Sequence, residues 1–248
     1  FLEIKTNPQE PDLSNSLLQI PQLRMLDGIF GEFSLIALFV LSSEEEYYTV
    51  LNRIDEIMAG SHFKKYQLFE AIKVFKINGI ELDQFLFEEK KPISEEEKLI
   101  MKILRDDQGM SLLSTYDIRD KLKEHNGIDV SQPTISNKIK DLRESGAILN
   151  YTINFCPRRI GFKGKYIVRI KPKDPSKYDQ LARILQKNPQ ITDLFRIGEQ
   201  FGLIAIVRVK RIEDYGKFIK KLYENEIEDT FTNFVLDELK PYTNFVIP

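Results

Sequence analysis

Tryptophan is absent from these 248 residues, histidine occurs twice and cysteine once. A single cysteine, Cys156, excludes an internal disulfide and any cysteine-rich metal site, and fits a reducing cytoplasm. It has no adjacent His and precedes Pro157, which reads as a buried structural thiol rather than a nucleophile. His62 and His125 fall in different parts of the chain and read as surface residues. Long apolar runs are missing too. The longest, Ser34 to Leu41, is strand-sized, so neither a membrane span nor a signal peptide is expected. No phosphate-binding glycine loop or metal-ligand spacing is present. Glu44-Glu45-Glu46 and Glu95-Glu96-Glu97 are first-turn acids that suit a helix dipole, not acid/base pairs. Together these absences predict a chain that is not an enzyme and carries no cofactor or metal. Excess charge of one sign is also lacking. With 36 Lys and Arg against 38 Asp and Glu the net charge is −2, so any case for an anionic partner must be local. The first residue is Phe rather than Met, and the expectation is that something upstream was removed or not included.

What is present, at 42% apolar and 30% charged residues, is enough for two or three modest domains with real cores. The strongest pattern is an internal repeat. Shifted by 168 residues, PQLRMLDGIFGEFSLIALFV (21–40) falls on PQITDLFRIGEQFGLIAIVR (189–208). From Leu13/Leu181 to Glu70/Glu238 the ungapped register holds 16 identities in 58 positions, against about 4 expected from composition. Each copy reads as an extended segment, a helix with leucines four apart (Leu13, Leu17; Leu181, Leu185) and two strands joined around a Gly. A second amphipathic helix and a last alternating strand (Phe63, Tyr66, Leu68; Phe231, Val235) complete it. The order is βαββαβ, a ferredoxin-like split motif with both helices on one sheet face. The open face needs a cover, and a second copy in the same chain or in a partner is the natural one.

Between the copies the segment is punctuated as helices. Ser94 with Glu97 forms a capping box, and Gly109 ends that helix. Ser114 with Asp117 opens a second helix, which Asn126-Gly127 stops. Ser131 caps a third, Pro133 fits its first turn, and Gly146 closes it. AILNYTINFCP then alternates like a strand. Three short helices and a strand make a winged helix-turn-helix pattern. In the third helix Ile135, Ile139 and Leu142 form the apolar stripe, so Gln132, Ser136, Asn137 and Lys140 point outward. Gln and Asn can pair bidentately with adenine, and Ser is permissive. Lys138, Lys140 and Arg143 can neutralise phosphates. The alternative is a solvated face on a structural three-helix domain.

From Cys156 to Lys173 the chain carries Arg158, Arg159, Lys163, Lys165, Arg169, Lys171 and Lys173 and no acid. Arg158 and Arg159 could flank a DNA backbone. Lys163 to Lys173 share one strand parity, and they could equally pair with acids of the other copy, where Glu3 takes the place of Arg169.

Residues 92–240 resemble the Lrp/AsnC (feast/famine) transcriptional regulators. The third-helix pattern of that family is met by Ser131, Thr134-Ile135-Ser136, Asn137-Lys138, Ile139 and Leu142-Arg143-Glu144-Ser145-Gly146-Ala147-Ile148. YTINFCPRRIGFKGKYIVRI looks like the family's linker into its effector (RAM) domain. The resemblance implies a dimerising, operator-binding regulator whose small ligands, often amino acids, bind between effector domains. Three features depart from it: a second effector-like copy precedes the DNA-binding segment, HNGIDVS is longer than the usual turn, and the effector loop lacks its Asp. Gly198-Glu199-Gln200-Phe201-Gly202 and Gly31-Glu32-Phe33-Ser34 hold that loop, with Gly202 or Ser34 at the Asp position and Glu199 or Glu32 as substitutes.

The expected fold is therefore α+β, a winged helix-turn-helix domain between two ferredoxin-like βαββαβ domains. The boundaries are 1–78, a linker at 79–91, 92–157 and 158–248. The expected function is a cytoplasmic, sequence-specific DNA-binding transcriptional regulator. Its expected partners are double-stranded DNA, a second copy of itself as homodimer or higher homo-oligomer, and an amino-acid-like effector; no membrane is expected. DNA contacts are assigned to Ser131, Gln132, Thr134, Ser136, Asn137, Lys138, Lys140, Arg143, Arg158 and Arg159. The effector is assigned to Gly198, Glu199, Phe201, Gly202, Gly31, Glu32, Phe33 and Ser34. Two other readings stay open: an assembly or sensor protein that does not bind DNA, and, by analogy, a tetrapyrrole decarboxylase-like enzyme.

Overall fold

The computed structural model describes residues 1–7, 10–82, 92–106, 113–151, 153 and 155–241. In chain order the elements are β1 (Leu2–Ile4), α1 (Pro11–Leu18), β2 (Leu23–Ile29), β3 (Leu35–Phe39), α2 (Glu44–Ala59), β4 (Tyr66–Leu68), β5 (Ala71–Ile77) and β6 (Ile80–Glu81). Then come α3 (Glu95–Asp106), α4 (Thr115–Asn126) and α5 (Gln132–Glu144). The rest is β7 (Gly164–Pro172), α6 (Tyr178–Leu185), β8 (Ile191–Ile197), β9 (Leu203–Val209), α7 (Ile212–Tyr223) and β10 (Ile227–Lys240). The chain divides into two units, residues 1–82 with 153–248, and residues 83–152. No helix among the described residues is long and apolar enough to cross a membrane.

In the first unit ten strands join in the order β4-β1-β3-β2-β10-β7-β9-β8-β5-β6. The halves before and after the middle segment each show βαββαβ order and the same internal strand arrangement, fourth-first-third-second. Two ladders sew them together: β10 pairs with β2, and β5 pairs with β8. Each half buries one sheet face under its own helices. Leu17, Leu23, Val50 and Ile54 form the first such core, and Leu181, Leu185, Leu194 and Phe218 the second. The other faces meet, with Met25, Ile36 and Leu38 in one buried cluster with Ile167, Phe195, Ile204 and Ile206. This is why β9, LIAIVRV, is buried at all seven positions instead of alternating: both of its faces lie in a core.

The register corrects the repeat near its end. Leu2 lies opposite Ala37 and Leu68, and Val168 opposite Ala205 and Thr232. Leu68 therefore corresponds to Thr232, not to Leu236. α2 has 16 residues and α7 has 12, about one turn more, so the last strand of the first half starts four residues later. The identities at Phe63/Phe231, Leu68/Leu236 and Glu70/Glu238 are not structural equivalents, and Phe63 lies before β4. With the corrected register the link between halves is reciprocal. Phe30 N–H donates to the Phe234 carbonyl, and Gly198 N–H donates to that of Glu70.

The basic parity of β7 resolves into pairing with acids. The Lys165 ammonium lies 2.7 Å from Asp27 and 3.2 Å from Glu238. Arg169 lies 2.5 Å from Glu3 and 3.1 Å from Glu199. Arg208 Nη2 adds a contact of 2.6 Å to Glu238. Burial pushes the Asp27 carboxyl up while Lys165 pulls against it. Burial also opposes ionisation of Glu238, but Arg208 and Lys165 outweigh it and hold that carboxyl below its usual range.

The second unit packs Ile100, Ile118, Leu122 and Ile135 into one core. Its caps are those the punctuation indicates. Ser94 and Glu97 bond reciprocally, as do Ser114 and Asp117, and Gly127 ends α4 in the left-handed conformation at φ 67°. Gly109 and the linker residues 83–91 lie outside the described residues. The strand expected after α5 is not formed among the described residues of 147–156. Alternation makes a strand only where a neighbour's N–H and C=O groups complete a ladder, and no described segment offers one. Cys156 is exposed rather than buried. It precedes a 3-10 turn, Pro157–Ile160, in which Pro157 takes the buried place.

Because Ile204 is fully buried between the halves, Ile204→Ala is expected to cost roughly 2–5 kcal/mol. Leu236→Ala, 56% exposed, is expected to stay within about 0.5 kcal/mol. Urea unfolding of both variants checks this.

Candidate nucleic-acid interface and effector loops

Helix α5 is anchored by Ile135 and Leu142, both buried, with Ile139 partly buried against α3 and α4. Its start is set by Ser131, whose Oγ accepts from the Thr134 N–H at 3.3 Å and shares a hydrogen bond with Thr134 Oγ1 at 2.8 Å. The apolar stripe turns the rest of the helix outward. Ser136, Asn137, Lys140 and Arg143 are exposed. Two other assigned residues are held by neighbouring helices. Gln132 Nε2 donates to Thr115 Oγ1 at 2.7 Å, tying α5 to the first turn of α4. Lys138 lies 3.0 Å from Glu96 on α3, with both side chains only about a quarter exposed at 22% and 26%. Lys140 approaches Glu144 at 3.8 Å, but both are well exposed, and such a pair is weak. The outward surface is thus a polar, hydrogen-bonding patch with two cations. Arg158 and Arg159 are exposed on the turn that opens the other unit's β7 half. Glu96 and Thr115 were not marked by the sequence, because their roles depend on packing between helices.

The two effector loops differ. In the first, Gly31 and Glu32 are exposed, and Glu32 lies 2.6 Å from Lys65. That ammonium holds the Glu32 carboxyl below its usual range. Phe33 is buried in the cluster between the halves. Ser34 Oγ donates to the Thr6 carbonyl and accepts from the Thr6 N–H, both at 3.3 Å.

In the second loop Gly198 is exposed and Glu199 is drawn to Arg169; burial pushes its carboxyl up and Arg169 pulls it down. The Phe201 carbonyl accepts from Tyr178 Oη at 2.9 Å. Gly202 has φ +78°, and the Arg196 guanidinium stacks 3.7 Å over the Tyr178 ring beside it. Arg196 Nη1 also donates to the Gly202 and Ile197 carbonyls at 2.6 and 2.9 Å. A Cβ at position 202 would strike both Arg196 and Tyr178. The position expected to hold the effector-loop carboxylate is crowded in this half by a stacked cation. In the first half the residue in register with Arg196 is Gly28, and the cation beside the loop is Lys65, 5.4 Å over the Phe33 ring. A depression of about 190 Å³ lies elsewhere, between α6 and the start of β10, with the Lys177–Glu226 pair at its edge. Among the described residues no group of three His, Cys, Asp or Glu could hold a metal.

Comparison with known proteins places these features in a family. A profile described as the Lrp/AsnC ligand binding domain matches residues 166–245. An uncharacterized HTH-type transcriptional regulator of Pyrococcus abyssi is 30% identical over 149 residues, 60% of this chain and 95% of that relative. The HTH-type transcriptional regulator FL11 of Pyrococcus horikoshii is 27% identical over 157 residues, 63% of this chain and 97% of that protein. The fold is similar to the crystal structure of an AsnC family transcriptional regulator from Agrobacterium tumefaciens. That match has a TM-score of 0.50 and 19% identity, and covers 62% of this chain and 96% of that one. The chain belongs to the Lrp/AsnC family of HTH-type transcriptional regulators.

Gly202→Asp should not restore an effector carboxylate. It should instead destabilise the chain by on the order of 1–3 kcal/mol through positive φ and displacement of Arg196. Ser34→Asp, which loses only the donation to the Thr6 carbonyl, should cost less, roughly 0.5–1.5 kcal/mol. Thermal unfolding of the two variants distinguishes them.

Proposed function

We propose that this chain is a sequence-specific DNA-binding transcription regulator in which α5 enters the major groove. The observation that carries this is the sidedness of α5: Ile135 and Leu142 are buried, while Ser136, Asn137, Lys140 and Arg143 are free to face a partner. Asn137 reads a base edge, adenine being the match for its amide, and Lys140 and Arg143 meet phosphates. Gln132 and Lys138 position the helix through Thr115 and Glu96. Arg158 and Arg159 add backbone contacts.

The domain plan is effector-like 1–82, which β6 carries past the expected boundary at 78, a helix-turn-helix unit at 83–152 and effector 153–248, with the first and last as copies of one ferredoxin-like module. The profile match and the shared strand order support this plan. A small amino-acid-like effector acts at the loops, and the first loop, Gly31 to Ser34, is the better candidate because Gly31 and Glu32 are exposed there, with Lys65 paired to Glu32 and lying 5.4 Å over the Phe33 ring. Two copies of α5 on a two-fold operator read half-sites about one turn, ~34 Å, apart or a multiple of that.

Gel-shift titration across salt, on operator DNA selected by genome-wide capture with the intact protein, tests the reading. Asn137→Ala is expected to cost roughly 1–3 kcal/mol and relax specificity at one base pair. Lys140→Ala should weaken binding to all sequences and lower the salt slope by about 1. Unchanged mobility of every DNA at low salt would contradict the proposal and favour an assembly or sensor role.

A further inference from the structure

The seam between the two halves carries charges that a self-matching face would not. Strand register identifies which positions correspond. Glu3 lies opposite Ile36 and Gln67, and Arg169 opposite Ile204 and Phe231. With Ile36 and Ile204 equivalent, Glu3 and Arg169 occupy one position in the two halves. Asp27 lies opposite Ile36 and Phe195 opposite Ile204, so Asp27 corresponds to Phe195. The first half thus brings two carboxylates to the seam, Glu3 at 1% and Asp27 at 0% exposure. The second brings two cations, Arg169 and Lys165, each at 4%. They meet as Arg169–Glu3 and Lys165–Asp27, at 2.5 and 2.7 Å.

Corresponding residues that touch each other lie near the two-fold relation of a pair. If two second halves paired, Arg169 would face Arg169 and Lys165 would face Phe195. Glu199 and Glu238 would stay with their own half, but two buried cations per half would lose a carboxylate. If two first halves paired, Glu3 would face Glu3, and two buried carboxylates would meet without the Arg169 guanidinium. Removing one partner of a buried ion pair is strongly destabilising, and specificity arises as much from such penalties as from attraction.

We infer that Glu3, Asp27, Lys165 and Arg169 form a charge code that matches a first half only to a second half and closes this seam to self-pairing. The inference rests on the reading of the halves as copies of one module, but not on DNA binding. It has a consequence for assembly. A second chain must join through a different surface.

The test uses the full chain with Glu3→Arg, Arg169→Glu and the double reversal, followed by urea unfolding and analytical ultracentrifugation. Each single reversal should lower the folding equilibrium constant roughly a hundredfold or more. The double reversal should return to within about tenfold of the parent. Lys171→Glu, which alters an exposed pair with Glu228, should change it by no more than about fivefold. If the single variants fail to fold alone, refolding them together decides the matter. Their reversed charges complement each other across chains, and a folded two-chain species is expected where the parent gives none through this seam. Double-reversal effects equal to the product of the singles, with no recovery on co-refolding, would overturn the inference. So would a second-half to second-half contact between parent chains found by cross-linking. Gel shifts of the parent report separately on the proposed function.

Discussion

Four charged side chains with almost no access to water, Glu3, Asp27, Lys165 and Arg169, have to find one another for the large unit to exist. Their ion pairs cross the apolar cluster in which Ile36 and Met25 meet Ile204 and Phe195. The apolar contacts supply the drive to bring the faces together, and they are indifferent to which face arrives. The buried pairs are not, because an unmatched charge in that setting is costly. Asp27 and Arg169 illustrate the geometry. The Asp27 carboxylate oxygens and Arg169 Nε and Nη2 make no well-aligned hydrogen bond in spite of their close partners, so these contacts act chiefly by charge. Charge of this kind selects a partner better than it stabilises one.

The reciprocal ladders follow from that pairing. β10 begins against β7, the first strand of its own half, and ends against β2 of the other, and in the first half β4 and β5 divide the same two tasks between β1 and β8. Long edge strands are thereby paired within the chain, which removes the commonest route to unintended sheet addition. The small unit is independent of this arrangement in its own packing. Its three helices close on Ile100, Ile118, Leu122 and Ile135, and its caps satisfy the helix ends locally.

Much of this was legible in the sequence because it was written in local terms. Ser114 with Asp117, Ser131, and Gly127 at a left-handed position are signals read within a few residues. The repeat was legible because Leu26, Ile29, Ile36 and Ala37 serve the same cores as their counterparts. The failures were non-local. An extra turn of α2 moved the last strand by four residues and left three matched letters without structural meaning. Alternation after α5 suggested a strand, but a strand needs a ladder partner that periodicity cannot supply. Cys156 looked like a core thiol, although the neighbouring Pro157 took the interior place. The basic run from Lys163 to Lys173 left DNA and protein acids as equal partners until the fold brought Glu3 and Asp27 across from it. Within LRMLDGI the lone Asp27 in an apolar strand is a local sign of that pairing.

The account makes the two halves of the large unit one cooperative body whose integrity depends on the seam. Native-state hydrogen exchange across a urea series measures this directly. The slowest amides of β1 and β3 and those of β7 and β9 are expected to share one opening free energy and one urea dependence, equal to global unfolding. If β1 and β3 instead open at clearly lower free energy while β7 and β9 keep full protection, the halves are separate folding units, and the central role given to the buried charges is wrong.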